Sequence, residues 1–436
     1  MKNKAFSLLL WMYSGAFFFV EYLGPKHGQV FLHLYVILFA LFLFYENLLR
    51  HNFLPFRSGF WTGYLLAFFF LLIITTLGTS VYLDKDWYQV FRRVFYNSYF
   101  FVLPYIVFSL SYPVEKLIKQ VGIITIVLLL MEMVSIISGV QLYTSSFVEI
   151  SEWNISQVAA GGFRVVPLGV DIAVFAIATS LIMFGKPIYG KIKGHLLVVL
   201  ISGIFIILLT FTRSFIAAVF LSVLLWFFFD RKVFSSKKFK AVSIMVIGIA
   251  GVFLVSKNLF HGVFFDGLTA RFMRAAEVGD SWRYMELSQA LLSISEHPLF
   301  GVGLGSRYTE VMALFADEGY EANANYDIHN MYAGILINYG VVGMVFFVAG
   351  VIAFYRLNSG GNIEGDLVQA SKIFLTVGLL SGFFSGGYFN GQSAFWYALF
   401  MSYAIKMSSQ EKIKDKVYRR YVSREQNQVA SPPSRM

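Results

Sequence analysis

The chain contains no cysteine, which excludes a disulfide framework, a thiol nucleophile and any cysteine-held metal centre. Charge is scarce as well: Asp, Glu, Lys and Arg together make up 14% of the 436 residues. No HExxH, GxSxG, Walker or Cys/His signature occurs, so the hydrolase and nucleotide-binding readings that rest on those strings have no residues to stand on. What the chain has instead is apolar mass. Residues of the AVILMFWYC set account for 57% of it and the mean hydropathy is +0.66. A soluble core cannot absorb that much apolar surface, so the composition reads as a polytopic membrane protein. The 48 Phe and 25 Tyr suit lipid-facing surfaces and interfacial belts. A net charge of +10 invites a nucleic-acid partner. The basic residues, however, are spread over short loops and the tail, as membrane orientation requires, and no nucleic-acid partner is expected.

Lys2 and Lys4 precede an apolar run from Ala5 to Val20 with no small-residue cleavage site after it, so that run reads as a first span rather than a signal peptide. Runs long enough to cross a bilayer fall at about 5–22, 29–49, 59–81, 95–112, 117–139, 165–184, 195–211, 213–229, 241–256, 329–355, 370–387 and 391–406, each near the ~20 residues a crossing helix requires. Basic clusters then set the sides. Lys186, Lys191 and Lys193 share one loop, Arg231, Lys232, Lys237, Lys238 and Lys240 another, and Lys406, Lys412, Lys414, Lys416, Arg419, Arg420 and Arg424 mark the tail. An even number of spans puts all of them on the side of Lys2 and Lys4, the cytoplasmic one. The expected architecture is an all-α membrane domain over residues 1–408, with about twelve transmembrane helices and both termini inside. A polar, basic and disordered cytoplasmic tail is expected over 409–436. Two loops remain outside, one over 140–164 and a large one over 257–327 between spans nine and ten; a loop of that length is usually functional.

Within the large loop, Asp280 can cap a helix over 281–295, with Leu287, Leu291 and Ile294 as its apolar stripe and His297-Pro298 as its end. Such a helix suits the outer membrane interface. Arg283 falls in its first turn against the helix dipole, which either draws an anionic ligand or is answered by solvent, Glu286 or Asp280. Next comes Pro298-Leu299-Phe300-Gly301-Val302-Gly303-Leu304-Gly305. The alternating Gly301, Gly303 and Gly305 permit tight turns, either to present backbone amides to a phosphate or to pack a re-entry loop. His329 opens a long apolar helix at a bilayer boundary, where a titratable group is costly without a task; the bland reading is a helix-start histidine facing water. The stripe His329, Tyr332, Leu336, Gly340 and Gly343 lies on one helical face, whose small residues would admit another helix. Arg213 sits in a very short outer turn, to snorkel or to meet substrate, and Arg164 ends the first outer loop. Arg271 and Arg274 stand a helical turn apart in an acidic loop that also offers them internal partners. Guanidinium forks bind phosphate oxygens bidentately, as an ammonium cannot. Asp84-Lys85-Asp86 is a paired-carboxylate string, weak as a metal site with no further ligand nearby.

Four strings taken in order carry a resemblance: Thr212-Arg213-Ser214 opening a span, Arg283 on an amphipathic helix, His297 through Gly305, and His329-Asn330 followed by Gly340 and Gly343. The chain resembles the bacterial O-antigen ligase and O-antigen/capsule polymerase superfamily over roughly residues 200–350. The family's usual Ser-Arg-Gly stands here as Thr-Arg-Ser. What the resemblance implies is glycosyl transfer on the outer face of the bacterial cytoplasmic membrane, from undecaprenyl diphosphate to an acceptor sugar hydroxyl. Its partners would be the lipid-linked oligosaccharide, the acceptor glycan, a chain-length regulator and a flippase. Arg213 and Arg283 would stabilise the departing diphosphate, with Arg164, Arg271, Arg274, Gly301, Gly303, Gly305, Asn330 and Tyr332 as substrate contacts. Neutral His329 would serve as general base to the acceptor, oriented by Asp327 or Asn330. No metal and no cofactor enters this scheme. The acceptor separates a repeat-unit polymerase, the preferred reading, from a ligase to lipid A core. A flippase or transporter would favour two six-span halves and a long central cytoplasmic loop, and a metal-dependent glycosyltransferase would lean on Asp84 and Asp86.

Overall fold

In a computed structural model, residues 2–14, 25–49, 59–80, 87–138, 170–184, 193–209, 213–229, 243, 246–247, 279–306, 328, 330–359, 362–383 and 393–410 are described. Among them there are helices and no strands. In chain order they are α1 (Lys2–Tyr13), α2 (Pro25–Leu49), α3 (Gly59–Ser80), α4 (Trp87–Ser109), α5 (Val114–Ser138), α6 (Val170–Phe184), α7 (Lys193–Leu209), α8 (Arg213–Phe229), α9 (Gly279–Glu296), α10 (Met331–Tyr355) and α11 (Ile363–Ser381), followed by α12 over 393–410. Three stretches among the described residues are long and apolar enough to cross a membrane: Leu32–Leu49, Phe60–Thr79 and Met331–Tyr355. On α2, Leu34, Leu38, Leu41, Tyr45 and Leu48 are exposed at three- and four-residue spacing, the outward stripe expected where the solvent is hydrocarbon. The expected span at 241–256, the outer loop at 140–164 and the tail at 409–436 lie outside the described residues, apart from positions 243, 246 and 247 and the last two residues of α12, 409 and 410.

Lipid tails are as apolar as leucine, so packing and polar contacts, not exclusion from water, hold such helices together. Helix α6 packs on α7 and α11, α5 on α7, α8 on α11, and α3 on both α4 and α10. Rings fill the core: Phe175 stacks on Phe400 with centroids 3.5 Å apart, and Tyr13 stacks on Phe395 at 3.7 Å. Several buried polar groups are tied to partners. Ser393 donates to Asp171 at 2.7 Å, and the Tyr13 and Tyr99 hydroxyls meet at 2.6 Å. Lys406 donates to the carbonyls of Val107, at 2.7 Å, and Leu110, so a cation closes the C-terminal end of α4.

Several boundaries differ from expectation: α11 begins at Ile363 rather than near residue 370, and the widest shift is in α4. Helix α4 begins at Trp87 rather than near residue 95, because its polar first turns are satisfied inside the protein. Arg92 lies over the Tyr96 ring at 5.7 Å, and Arg93, 8% exposed, donates to Asn338 of α10 at 3.3 Å.

Candidate active site

The site is built around the N-terminal end of α10 and a break nearly three turns further along it. Asn330 caps the helix: its side chain accepts from the Ala333 amide at 3.0 Å and donates to the Phe383 carbonyl at 3.1 Å. The Met331 amide donates to Gly382 at 2.8 Å, and the Tyr332 hydroxyl to Leu379 at 2.7 Å. Together these bonds lock the start of α10 to the end of α11. Asn330 and Tyr332, expected as substrate contacts, thus each have a protein partner that fixes the helix entrance. The helix proper begins at Met331 behind this cap, two residues later than the sequence pattern suggested.

At Gly340 the helix breaks, with φ 63° and ψ −164°. Gly340 therefore receives a loop instead of the second helix that the small residues led us to expect, while Gly343 lies against the Tyr339 side chain of its own helix. In an unbroken helix the Val341 amide would bond to the Ile337 carbonyl. Here that pair is split. Val341 donates to Pro298 at 2.8 Å and Val342 to Leu299 at 3.2 Å, while the Ile337 carbonyl accepts from Val302 at 2.6 Å. The loop after α9 is spliced into the gap, and every orphaned group named here finds a partner, as burial in a membrane protein demands.

The glycine string makes the splice possible. Gly301, Gly303 and Gly305 have φ of 69°, 74° and 77°, a region side chains enter only with strain. A Cβ on Gly301 would strike the Ile337 carbonyl and stand 2.8 Å from the Tyr339 and Gly340 amides. A Cβ on Gly340 would strike Leu299 in return. Two amides of the string are already committed, Gly301 to His297 at 3.0 Å and Val302 to Ile337, and residues 301–306 are buried. Close backbone approach is the structural reason for these glycines.

The splice joins the two elements that carry the expected catalytic groups. Helix α9 packs on α10, and Ala290, Val302, Ile328, Ala333 and Ile337 form one buried cluster with Leu287 and Ile294 against it. The helix foreseen over 281–295 is thus present as Gly279–Glu296, but its inward face differs: Ala290 is buried while Leu291 is 54% exposed. Arg283 belongs to the first part of α9 and Arg213 opens α8; the positions of their side chains are outside the described set. His329, Arg164, Arg271, Arg274, Asp327, Asp84 and Asp86 lie outside the described residues. His329 falls between Ile328, which is buried in the α9–α10 cluster, and the Asn330 cap.

A polar group that the span reading passed over stands beside the break. Arg93 reaches Asn338, whose amide donates to Gly334 at 2.7 Å. Asn97 donates to the Arg93 carbonyl at 2.8 Å, and the buried Tyr339 hydroxyl has no hydrogen-bond partner among the described residues. Tyr339 also lines an apolar cavity of ≈ 110 Å³ between α3, α4, α10, α11 and α12, with Met331, Phe100 and Tyr397 among its walls. The signal was available: two adjacent arginines next to an apolar run are costly in a membrane protein unless partnered.

Residues 196–348, which contain α8, α9, the glycine string and the break in α10, match the family model for O-antigen ligase. Over that stretch, about a third of its length, the chain is similar to the O-antigen ligase family. No curated protein matches the chain. The matched stretch takes in Arg213, Arg283, the glycine string and His329, and ends within α10. Arg93 and most of the cavity wall come from helices outside it.

Proposed function

We propose that this protein transfers a glycan from undecaprenyl diphosphate to an acceptor sugar hydroxyl at the outer face of the bacterial cytoplasmic membrane, as a repeat-unit polymerase of O-antigen, capsule or exopolysaccharide. The chain crosses about twelve times with both termini inside, which puts residues 257–327 and the start of α10 outside. The observation that carries the reading is the O-antigen ligase match over the segment where α9 is spliced to α10. Helix α9 bears Arg283, and the entrance of α10 follows His329. The rise of ~1.5 Å per residue supports their meeting: Arg283 is 15 residues before Pro298, and His329 is 12 before Val341, the amide that Pro298 accepts from. Helices running side by side from that junction bring the two residues to similar heights.

In the mechanism, His329 removes the proton from the acceptor hydroxyl as its oxygen bonds to the anomeric carbon. The bond from that carbon to the diphosphate oxygen breaks, and the lipid diphosphate leaves with the electron pair. Arg283 and Arg213 meet the charge that develops there, in a low-dielectric setting where each guanidinium counts for more than in water. Arg164, Arg271, Arg274 and the backbone near Gly303 and Gly305 contribute to holding the donor. No metal is required.

Replacing His329 by Ala removes proton transfer and is expected to lower the transfer rate about 10²–10⁴-fold, while Arg283→Ala falls by about 10²–10³-fold. Both are read as polymer formed on lipid-linked repeat units in proteoliposomes, with membrane insertion checked in parallel. Undiminished transfer would remove the residue from the mechanism, and loss of transfer in EDTA would reinstate a metal. The family description itself favours a second reading, a ligase to lipid A core. Single lipid-linked repeats accumulating in a deletion strain support the polymerase; full-length unattached glycan supports the ligase.

A further inference from the structure

The splice at Gly340 fixes more than the relation of two helices. It sets a depth. Pro298 and Leu299 are hydrogen-bonded to Val341 and Val342, ten or so residues inside a helix apolar enough to cross a membrane. Arg356 follows the last residue of that helix and marks its polar end. A hydrocarbon core of ~30 Å takes about 20 residues at ~1.5 Å each, so the opposite boundary falls near residue 336. By the same rise, positions 340–342 lie about 6–9 Å below that boundary.

Exposure points the same way. From Met331 to Gly340 no residue of α10 is exposed. The outward stripe begins at Val341, 47% exposed, and continues through Val345, Val348 and Ile352, the spacing of a lipid-facing strip. Leu299 and Phe300, 61% and 49% exposed, extend that strip at its upper end, and residues 298–306 contain no charge. On the N-terminal side of Leu299 and Phe300 the nearest charge is the exposed Glu296, about one helical turn back towards the boundary, where a carboxylate reaches headgroups and water. Non-helical backbone is tolerated at such depth only when its groups are satisfied by protein, which the splice achieves.

We propose that residues 298–300 form a re-entrant tip seated in the acyl chains of the outer leaflet, so that α9 is an arm held by the bilayer at its lower end and not a helix resting on the surface. The occupant of the exposed Leu299–Phe300 face is lipid hydrocarbon. This rests on the reading that α10 spans the membrane with Met331 at its outer end. It adds a function to the glycine string: the bilayer itself fixes the height of the arm that carries Arg283.

The cysteine-free chain allows single nitroxide labels without background thiols. The test uses the full protein in nanodiscs with Leu299→Cys, Phe300→Cys and, on the lipid strip, Val345→Cys. Collision with oxygen exceeding collision with a water-soluble nickel chelate at 299 and 300, as at 345, is the expected result. Chelate collision dominating at 299 and 300 while 345 stays dry overturns the tip. Chelate access at 345 as well would overturn the spanning of α10, and the tip with it. An independent readout needs no substitution: lipids with a photoactivated carbene in the upper acyl chain should leave adducts on residues 298–301 of the unaltered protein. Adducts on Val345 and Val348 without any on 298–301 count against the proposal.

Discussion

Gly340 and Gly301 meet backbone to backbone, and neither can accept a side chain. Gly340→Ala faces about 1–3 kcal/mol of strain from its positive φ alone, with a collision against Leu299 in addition. The expected outcome is a clear drop in thermal midpoint together with loss of transfer, since the splice orders both α9 and the start of α10. Gly63→Ala is the contrasting case. Nothing stands within 4 Å of a Cβ there, so it should leave the midpoint unchanged or slightly raised. Asn330 divides cap from substrate contact. Asn330→Ala loses the bond from Ala333 and should cost about 1 kcal/mol, whereas Asn330→Asp keeps an acceptor for that amide and loses only the donor to Phe383. If stability follows that order while both variants lose transfer to the same extent, Asn330 also touches substrate. That Gly301, Gly303 and Gly305 needed unusual backbone was legible in their alternation. Their partner was not, because no local pattern announces a break forty residues away that will receive them.

Elements were legible by hydropathy and blurred where polarity was satisfied internally. Helix α4 runs through Arg92 and Arg93 because Tyr96 and Asn338 accept them, and a window that scores arginine as an end must stop short. The far end of α4 relies on Lys406, whose ammonium serves the carbonyls of Val107 and Leu110. Lys406→Met removes the donor and strands buried acceptors, at about 1–3 kcal/mol. A lowered midpoint with the transfer rate of the remaining folded protein unchanged is the expected result, and an unchanged midpoint would show that water replaces the ammonium. Helix α9 was foreseen from its cap and stripe, but Ala290 rather than Leu291 faces inward. A small residue lets the arm approach α10 closely, and choosing between neighbouring apolar positions needs the partner's surface.

At the scale of the whole molecule, topology is the quantity to test. Impermeant maleimide on intact cells should label a cysteine at Glu318, in the large loop, and reach one at Ser235, in the basic loop after α8, only after lysis. Reversed labelling would put the arginines and His329 on the wrong side of the membrane for an exported lipid-linked donor.

Composition alone pointed to a bilayer and a set of helices, because 57% apolar residues are more than a soluble core absorbs and lipid leaves backbone groups few other ways to be satisfied. The order of Arg213, Arg283, the glycine string and His329-Asn330 was enough to indicate the family. Only the tertiary structure decided that α10 is broken at Gly340, that the loop after α9 fills the break, and that Arg93 stands beside it. Those features are agreements between segments distant in sequence, and a donor and an acceptor are recognised as a pair only once folding has put them within 3 Å or so of each other.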